Sequence, residues 1–211
     1  MVYYQRHLPH IHPQQAIFFV TFRLVNSLPQ WIIETLQDEF EIDMLMKNAR
    51  QEKGDTLKEE PYRKYFKQFD TFLDAQREGN RWLQQPEIAS IIAEAIHFRD
   101  REKYDLICYC IMPNHVHMMI EISDKHHAVD VIGMSYLTRV LQSLKSFTAR
   151  ASNKVLHRNG QFWQRESYDH IVRDDQEMER MIRYVIFNPV AAGFVKDWKD
   201  WSFTYCKYDI L

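Results

Sequence analysis

Tyr104–Ile122, YDLICYCIMPNHVHMMIEI, is the stretch whose reading decides the fold. Two apolar runs, YDLICYCIM and HVHMMIEI, flank Pro113-Asn114, a turn-forming pair, and together they read as a β-hairpin. The second run carries two imidazoles, His115 and His117, that a core strand does not need. Residues at i and i+2 of a strand share a face, so the two rings stand side by side. That spacing suits a pair gripping one divalent ion, because neutral imidazole is a common ligand. It equally suits two hydrogen-bonded histidines beside a turn. Two nitrogens do not complete a metal site, so a third ligand has to come from elsewhere in the chain.

Cys108 and Cys110 form another i, i+2 pair one strand away. Zinc through them is disfavoured, because a tight hairpin would have to bring the cysteine and histidine faces together. Free cysteine in an apolar strand is ordinary core. The two-histidine phosphodiesterase pattern, His-x-Thr or His-x-Ser twice, does not occur.

Working outward, AIFFVTFRLV (16–25) reads as a first strand. Pro29 opens a helical segment that Gly54 breaks, and residues 60–79 form a second amphipathic helix ending at Gly79. Pro86 starts another helix, at a position suited to the first turn. Beyond the hairpin, a helix spans Ser135 to about Leu156, and FWQRESYDHIV (162–172) forms a strand. A last helix begins at a capping-box-like Asp174 and Glu177 and stops at Pro189. The aromatic tail DWKDWSFTYC packs back on the domain. These elements predict an α+β fold, with one mostly antiparallel sheet carrying the His-x-His strand and helices packed on it. All 211 residues read as one domain, with a helical acidic insertion at about 29–85.

The composition, 45% hydrophobic and 14% aromatic, is ample for a core and excludes a disordered chain. No apolar run approaches the roughly 18 residues of a membrane span. The N-terminus lacks the pattern of a signal peptide, and three cysteines without framework spacing fit a reducing cytoplasm. The net charge of −2 conceals an uneven distribution. Residues 135–165 hold Arg139, Lys145, Arg150, Lys154, Arg158, Arg165 and no acid, whereas residues 26–80 hold twelve acids against eight bases. A local basic surface can hold a phosphate backbone on a near-neutral protein. Phe162 and Trp163 in that region read either as stacking faces for bases or as core. His7, His10 and His12 form a further cluster in a proline-bearing N-terminal arm, read as flexible or DNA-touching.

In MIRYVIFNPVAAGFV, Tyr184 and Asn188 lie four apart and so stack on one helix face. Either they form a functional pair, or Tyr184 packs with its hydroxyl at the surface and Asn188 caps the helix.

MPNHVHMMIEI, followed about seventy residues later by RYVIFNPVAAGFV, resembles the single-tyrosine HUH (histidine-hydrophobic-histidine) transposases. FWQRESYDHIVRD, NPVAAGFV and DWKDWSFT resemble most closely the REP-associated tyrosine transposase branch. The resemblance covers the first strand and roughly Pro86 to Phe203, and leaves residues 29–85 without a family counterpart. It implies a ferredoxin-like HUH sandwich with Tyr184 as nucleophile on single-stranded or hairpin DNA, leaving a 5′-phosphotyrosine and a free 3′-OH. It further implies Mg²⁺ or Mn²⁺ held by His115, His117 and Asn188, where insertion-sequence relatives usually carry glutamine. REP-associated members are typically monomers, so a monomer is favoured over a homodimer. Two other readings stand beside this one: a domesticated hairpin-binding protein without turnover, and a nicking endonuclease for replication. Tyr168, in RESYDH, is the rival nucleophile.

Overall fold

The computed structural model describes residues 2–5, 9–12, 15–49, 55–76, 78–126 and 134–210. His7 and the helix break expected at Gly54 lie outside them. The chain forms two compact units, one from residues 1–25 and 81–211 and the other from Asn26 to Asn80.

In the first unit, β1 (Val2–Gln5) and β2 (Pro9–His12) pair antiparallel as a small separate sheet. The described parts of this segment, which reads as flexible or DNA-touching, are therefore paired strands whose N–H and C=O groups bond to each other. The main sheet contains β3 (Ala16–Leu24), β4 (Asp105–Ile111), β5 (His115–Ile122), β6 (Trp163–Val172) and β7 (Thr204–Cys206). Its order is β6-β3-β5-β4-β7, and every neighbouring pair is antiparallel. The aromatic tail thus contributes an edge strand.

The two faces of this sheet have different partners. Phe18, Val20 and Phe22 of β3 and Val116, Met118 and Ile120 of β5 point into the main core. There they meet Ile88, Ile92 and Ile96 of α3 (Pro86–Arg99) and Leu137, Val140 and Leu144 of α4 (Tyr136–Val155). Burying a side chain of this size is worth about 1.5–3 kcal/mol, so this face holds the unit together. Ser135 caps α4 by accepting from the Thr138 N–H. The opposite face carries His115 and His117, and α5 (Asp175–Ala191) packs beside them through the buried Ile182, Val185 and Ile186.

Pro189 was expected to end α5, yet the helix continues through it. The cost is the one bond the missing Pro189 N–H would have donated, and its ring is buried with the apolar stripe. The true stop is Gly193, whose φ of +74° lets the Gly193 N–H reach Val190 O and the Phe194 N–H reach Pro189 O. This is a Schellman closure.

The second unit contains α1 (Gln30–Ala49) and α2 (Asp55–Ala75), closed over Leu28, Ile32, Leu36 and Leu73. Phe40 packs tilted against Tyr62 and edge to ring against Tyr65, and Lys64 donates to Asp43 at 2.7 Å. Its two ends are pinned where the Asn80 N–H donates to Asn26 O at 3.2 Å. Gly79, at φ +80°, makes that closure possible, because a Cβ there would sit 2.5 Å from the Asn26 carbonyl oxygen.

Candidate active site

The hairpin turn Met112-Pro113-Asn114 is tied on both sides. The Met112 N–H donates to His115 O, and the Leu24 N–H donates to Asn114 O, each at 2.9 Å. His115 therefore begins β5 at a position dictated by β3 as well as by its own turn. His115 lies opposite Arg23, and His117 lies opposite Thr21.

Both histidines are fully buried, with Nε2 atoms 3.0 Å apart. His115 Nδ1 lies 2.7 Å from Asn114 Oδ1, and His117 Nδ1 lies 2.7 Å from Thr21 Oγ1. Each ring thus turns its Nδ1 to an oxygen and its Nε2 to a common point. This donor set fits a divalent ion. Two ligands about 2.1 Å from one metal on adjacent octahedral corners lie about 3 Å apart, matching the separation of the Nε2 pair. The oxygen at each Nδ1 is the outer support that metal-bound histidines normally have.

Tyr184, on the α5 face over the sheet, presents its ring edge-on to His117, with centroids 5.5 Å apart. It is 36% exposed, so a tyrosine that touches a buried histidine also reaches solvent. Phe19 is the shared wall, with its centroid 5.6 Å from that of His117 and 5.9 Å from that of Tyr184. Asn188 lies one helical turn beyond Tyr184 and is buried inside the helix, so it does not act as a cap before Pro189. Tyr168 occupies β6 opposite Thr21 and meets Phe19 at 6.2 Å. The rival tyrosine therefore shares this wall, one strand further from the histidines.

The residues that residue-by-residue reading missed are Thr21, Asn114 and Phe19. Asn114 was visible only as a turn residue. Thr21 was a single hydroxyl in an apolar strand, and nothing local linked it to a histidine 96 positions away.

The sequence profile of the family described as Transposase IS200 like matches residues 79–187. The chain belongs to that family. It is 27% identical over 111 residues to a Haemophilus influenzae protein assigned to the REP-associated tyrosine transposases, covering 51% of this chain and 61% of that protein. It is 23% identical over 112 residues to a REP-associated tyrosine transposase of Escherichia coli, covering 53% of this chain and 59% of that protein. The chain thus spans about three fifths of the length of these curated relatives. The solved structure of a REP-associated tyrosine transposase bound to a REP hairpin shares the fold, with a TM-score of 0.52 at 15% identity. That alignment covers 97% of this chain and 82% of the other.

The cysteines of this IS200-like chain take no part in the site. Contrary to the expectation that the faces stay apart, Cys110 lies directly opposite His117. Among the described residues, however, no cysteine joins the two histidines in a cluster of metal-ligand atoms. Burial pushes the Cys108 thiol well above its ordinary pKa, which leaves it a poor ligand.

The basic region divides into two groups. Lys145 Nζ donates to Gln164 O, Arg165 O and Ser167 Oγ at 2.7–3.1 Å, tying α4 to β6. Arg158 donates to Asn153 Oδ1 and Gln161 O and lies 4.1 Å over the Trp82 ring. Arg139 lies over the Tyr136 ring at 5.5 Å. Arg150, Lys154 and Arg165 are exposed. Between α4 and β6 runs a cleft of about 550 Å³ lined by Lys145, Arg165, Gln142, Gln164, Glu166 and Asp169. Phe162 and Trp163 are core residues, against the reading that they offer stacking faces. Phe162 stacks on Trp82, and Trp163 packs edge-on to Phe22 while donating to Thr148 Oγ1. No helix among the described residues is long and apolar enough to cross a membrane.

Proposed function

We propose that this chain is a metal-dependent single-stranded DNA endonuclease and strand transferase that cleaves through Tyr184. Residues 26–80 are then an insertion in the transposase domain. The observation that carries the reading is the contact of a partly exposed Tyr184 ring with buried His117, whose Nε2 lies 3.0 Å from that of His115.

The division of labour follows from ordinary chemistry. Tyr184 Oη attacks the phosphorus, the P–O3′ bond breaks, and the departing oxygen takes a proton to become a 3′-OH. The phosphate remains on the tyrosine as a 5′-phosphodiester, and a 3′-OH can attack it to rejoin strands without ATP. A phenol titrates near pH 10, so at neutral pH this nucleophile needs help. Mg²⁺ or Mn²⁺ held by His115, His117 and Asn188 would supply it by drawing charge from the non-bridging oxygens. Neutral ligands leave the charge of the ion for the phosphate. Phe19 holds the Tyr184 ring edge-on and restricts its swing, which is the positioning that phosphoryl transfer rewards.

The strand or hairpin would be held by the basic surface of 135–165. There Arg150, Lys154 and Arg165 pair phosphates, while Arg139, Lys145 and Arg158 shape the surface and add to its field. The name of the solved neighbour, which is bound to a REP hairpin, supports hairpin DNA as the substrate class. A monomer in the cytoplasm is the expected working form.

The test uses labelled hairpin and single-stranded oligonucleotides with Mn²⁺ on a denaturing gel. A covalent band that needs metal and Tyr184 but not Tyr168 is the expected result. Tight hairpin binding without any covalent band, across a library of flanking sequences, would replace the enzyme with a binding protein.

A further inference from the structure

The three cysteines lie on β4 and β7, and strand register decides which two can meet. Cys108 lies directly opposite Cys206, so the two side chains leave the sheet on the same face. The Ile111 N–H donates to Phe203 O at 3.0 Å, and the Lys207 N–H donates to Ile107 O at 2.8 Å. Hydrogen-bonded and non-hydrogen-bonded pairs alternate along an antiparallel ladder. Cys108 and Cys206 fall between those two bonded pairs in the non-hydrogen-bonded kind, whose Cα atoms stand about 4.5 Å apart with side chains closer. That lies within the roughly 4.4–6.8 Å that a disulfide spans.

We propose that Cys108 and Cys206 are an oxidation site, closed by peroxides to an intrachain disulfide that fastens the C-terminal strand to the sheet. Cys110 is not an alternative partner. It stands two residues, about 6.6 Å, along the strand from Cys108. It lies diagonal to Cys206, at about 7–8 Å. A disulfide needs Cβ atoms roughly 3.5–4.5 Å apart. The residue opposite Cys110 on β7 is Thr204, whose hydroxyl donates to Cys110 Sγ at 3.5 Å.

The two thiols divide the chemistry by exposure. Cys206 is partly exposed and Cys108 is buried, so peroxide meets Cys206 first. The Cys206 thiolate takes one oxygen from hydrogen peroxide and becomes a sulfenic acid. The O–O bond breaks, and the released hydroxide takes up the thiol proton to leave as water. The Cys108 sulfur then attacks the Cys206 sulfur, the S–O bond breaks, and the Cys108 proton leaves with the hydroxyl as a second water. Two thiols lose two electrons, and one peroxide gains them. Burial and the Asp209 carboxylate raise the Cys206 thiol above its ordinary pKa, so the first step is slow and needs sustained peroxide. The strand that the bond holds is short: β7 has three residues at the edge of the sheet, and α5 packs on both β4 and β7. The closed loop contains the histidine pair and Tyr184, and a loop of that length strongly constrains the unfolded chain.

The test treats the reduced full chain with hydrogen peroxide, alkylates it under denaturing conditions and maps its peptides by mass spectrometry. The wild type should lose two of its three alkylatable thiols, yield one Cys108–Cys206 cross-linked peptide, and recover all three thiols with dithiothreitol. Cys110→Ser should form the same link, and Cys206→Ser should form none. Hydrogen exchange at the Lys207 N–H, which bonds to Ile107 O, should slow roughly tenfold or more in the oxidised wild type. Three thiols still open to alkylation would overturn the proposal on the wild type alone, whether or not a variant folds. So would a link through Cys110, a link between two chains, or Cys206 driven to sulfinic acid while Cys108 stays free. A Cys108–Cys206 link that leaves exchange at Lys207 unchanged would overturn the fastening of β7.

Discussion

Replacing Tyr184 by phenylalanine separates chemistry from architecture. The ring meets Phe19 edge-on at 5.9 Å and His117 edge-on at 5.5 Å. Such contacts are worth about 0.5–1.5 kcal/mol each beyond area burial, and phenylalanine keeps both. What is lost is one hydroxyl on a partly exposed side chain, a change of at most about 1 kcal/mol. For a chain of this size that moves Tm by no more than about 2–4 °C. Tyr184→Ala loses the two ring contacts as well, about 1–3 kcal/mol more, and should melt several degrees below Tyr184→Phe. Both variants should form no covalent DNA adduct, and both should still bind the labelled hairpin. The assay pairs a thermal melt with a denaturing gel of the Mn²⁺ reaction. An adduct of wild-type intensity in Tyr184→Phe would refute the assignment of the nucleophile. A collapse of stability in that variant would refute the claim that the hydroxyl is held for chemistry.

Gly79→Ala should destabilise the helical unit by about 1–3 kcal/mol, seen as a lower urea midpoint. It forces a side chain into positive φ, with its Cβ 2.5 Å from the Asn26 carbonyl oxygen. Arg150→Ala and Lys154→Ala should each lower the slope of log affinity against log salt by about 0.7 for single-stranded DNA and leave the melt unchanged. Lys145→Ala should lower the melt, because it removes three bonds between α4 and β6. Burial pushes the Glu177 carboxyl up, but the Arg173 N–H and the His170 imidazole that bond to it outweigh burial, so its pKa lies below the ordinary 4.5. A group depressed in the folded state stabilises above its unfolded pKa, and that contribution is lost as pH falls through the folded value. Glu177→Gln keeps an acceptor for the Arg173 N–H and loses only the charge beside His170, so it should cost less than about 1 kcal/mol at neutral pH. The cost should shrink toward zero below pH 4.5, read from paired urea titrations.

Much of this molecule is written in local periodicity. Alternation in AIFFVTFRLV and HVHMMIEI makes strands, and the Pro113-Asn114 turn joins the hairpin. Asp174 caps the helix it was expected to cap, and Ser135, expected as the first residue of its helix, is that helix's cap. The side-by-side histidines follow from the i, i+2 rule alone, and Tyr184 one turn before Asn188 follows from helical spacing. Other readings failed where local signals compete. Pro189 resembles a stop, but the helix continues through it with its ring buried, and Gly193 holds the conformation that ends it. Trp163 reads locally either as a stacking face or as core, and Phe22 and Thr148 from other elements make it core.

By itself, then, the sequence determined the elements, the face of the histidine pair and the family pattern, because these depend on repeats two to four residues long. Only the tertiary structure decided that Thr21 meets His117, that Cys110 faces the same ring, and that Tyr184 lies against it across 67 positions. Those contacts depend on strand register and on how α5 settles on the sheet. A shift of one residue in register would turn every side chain of β5 to the other face. The burial of Phe18, Val20 and Phe22 on the opposite side selects the register, and so places the imidazoles beside the tyrosine.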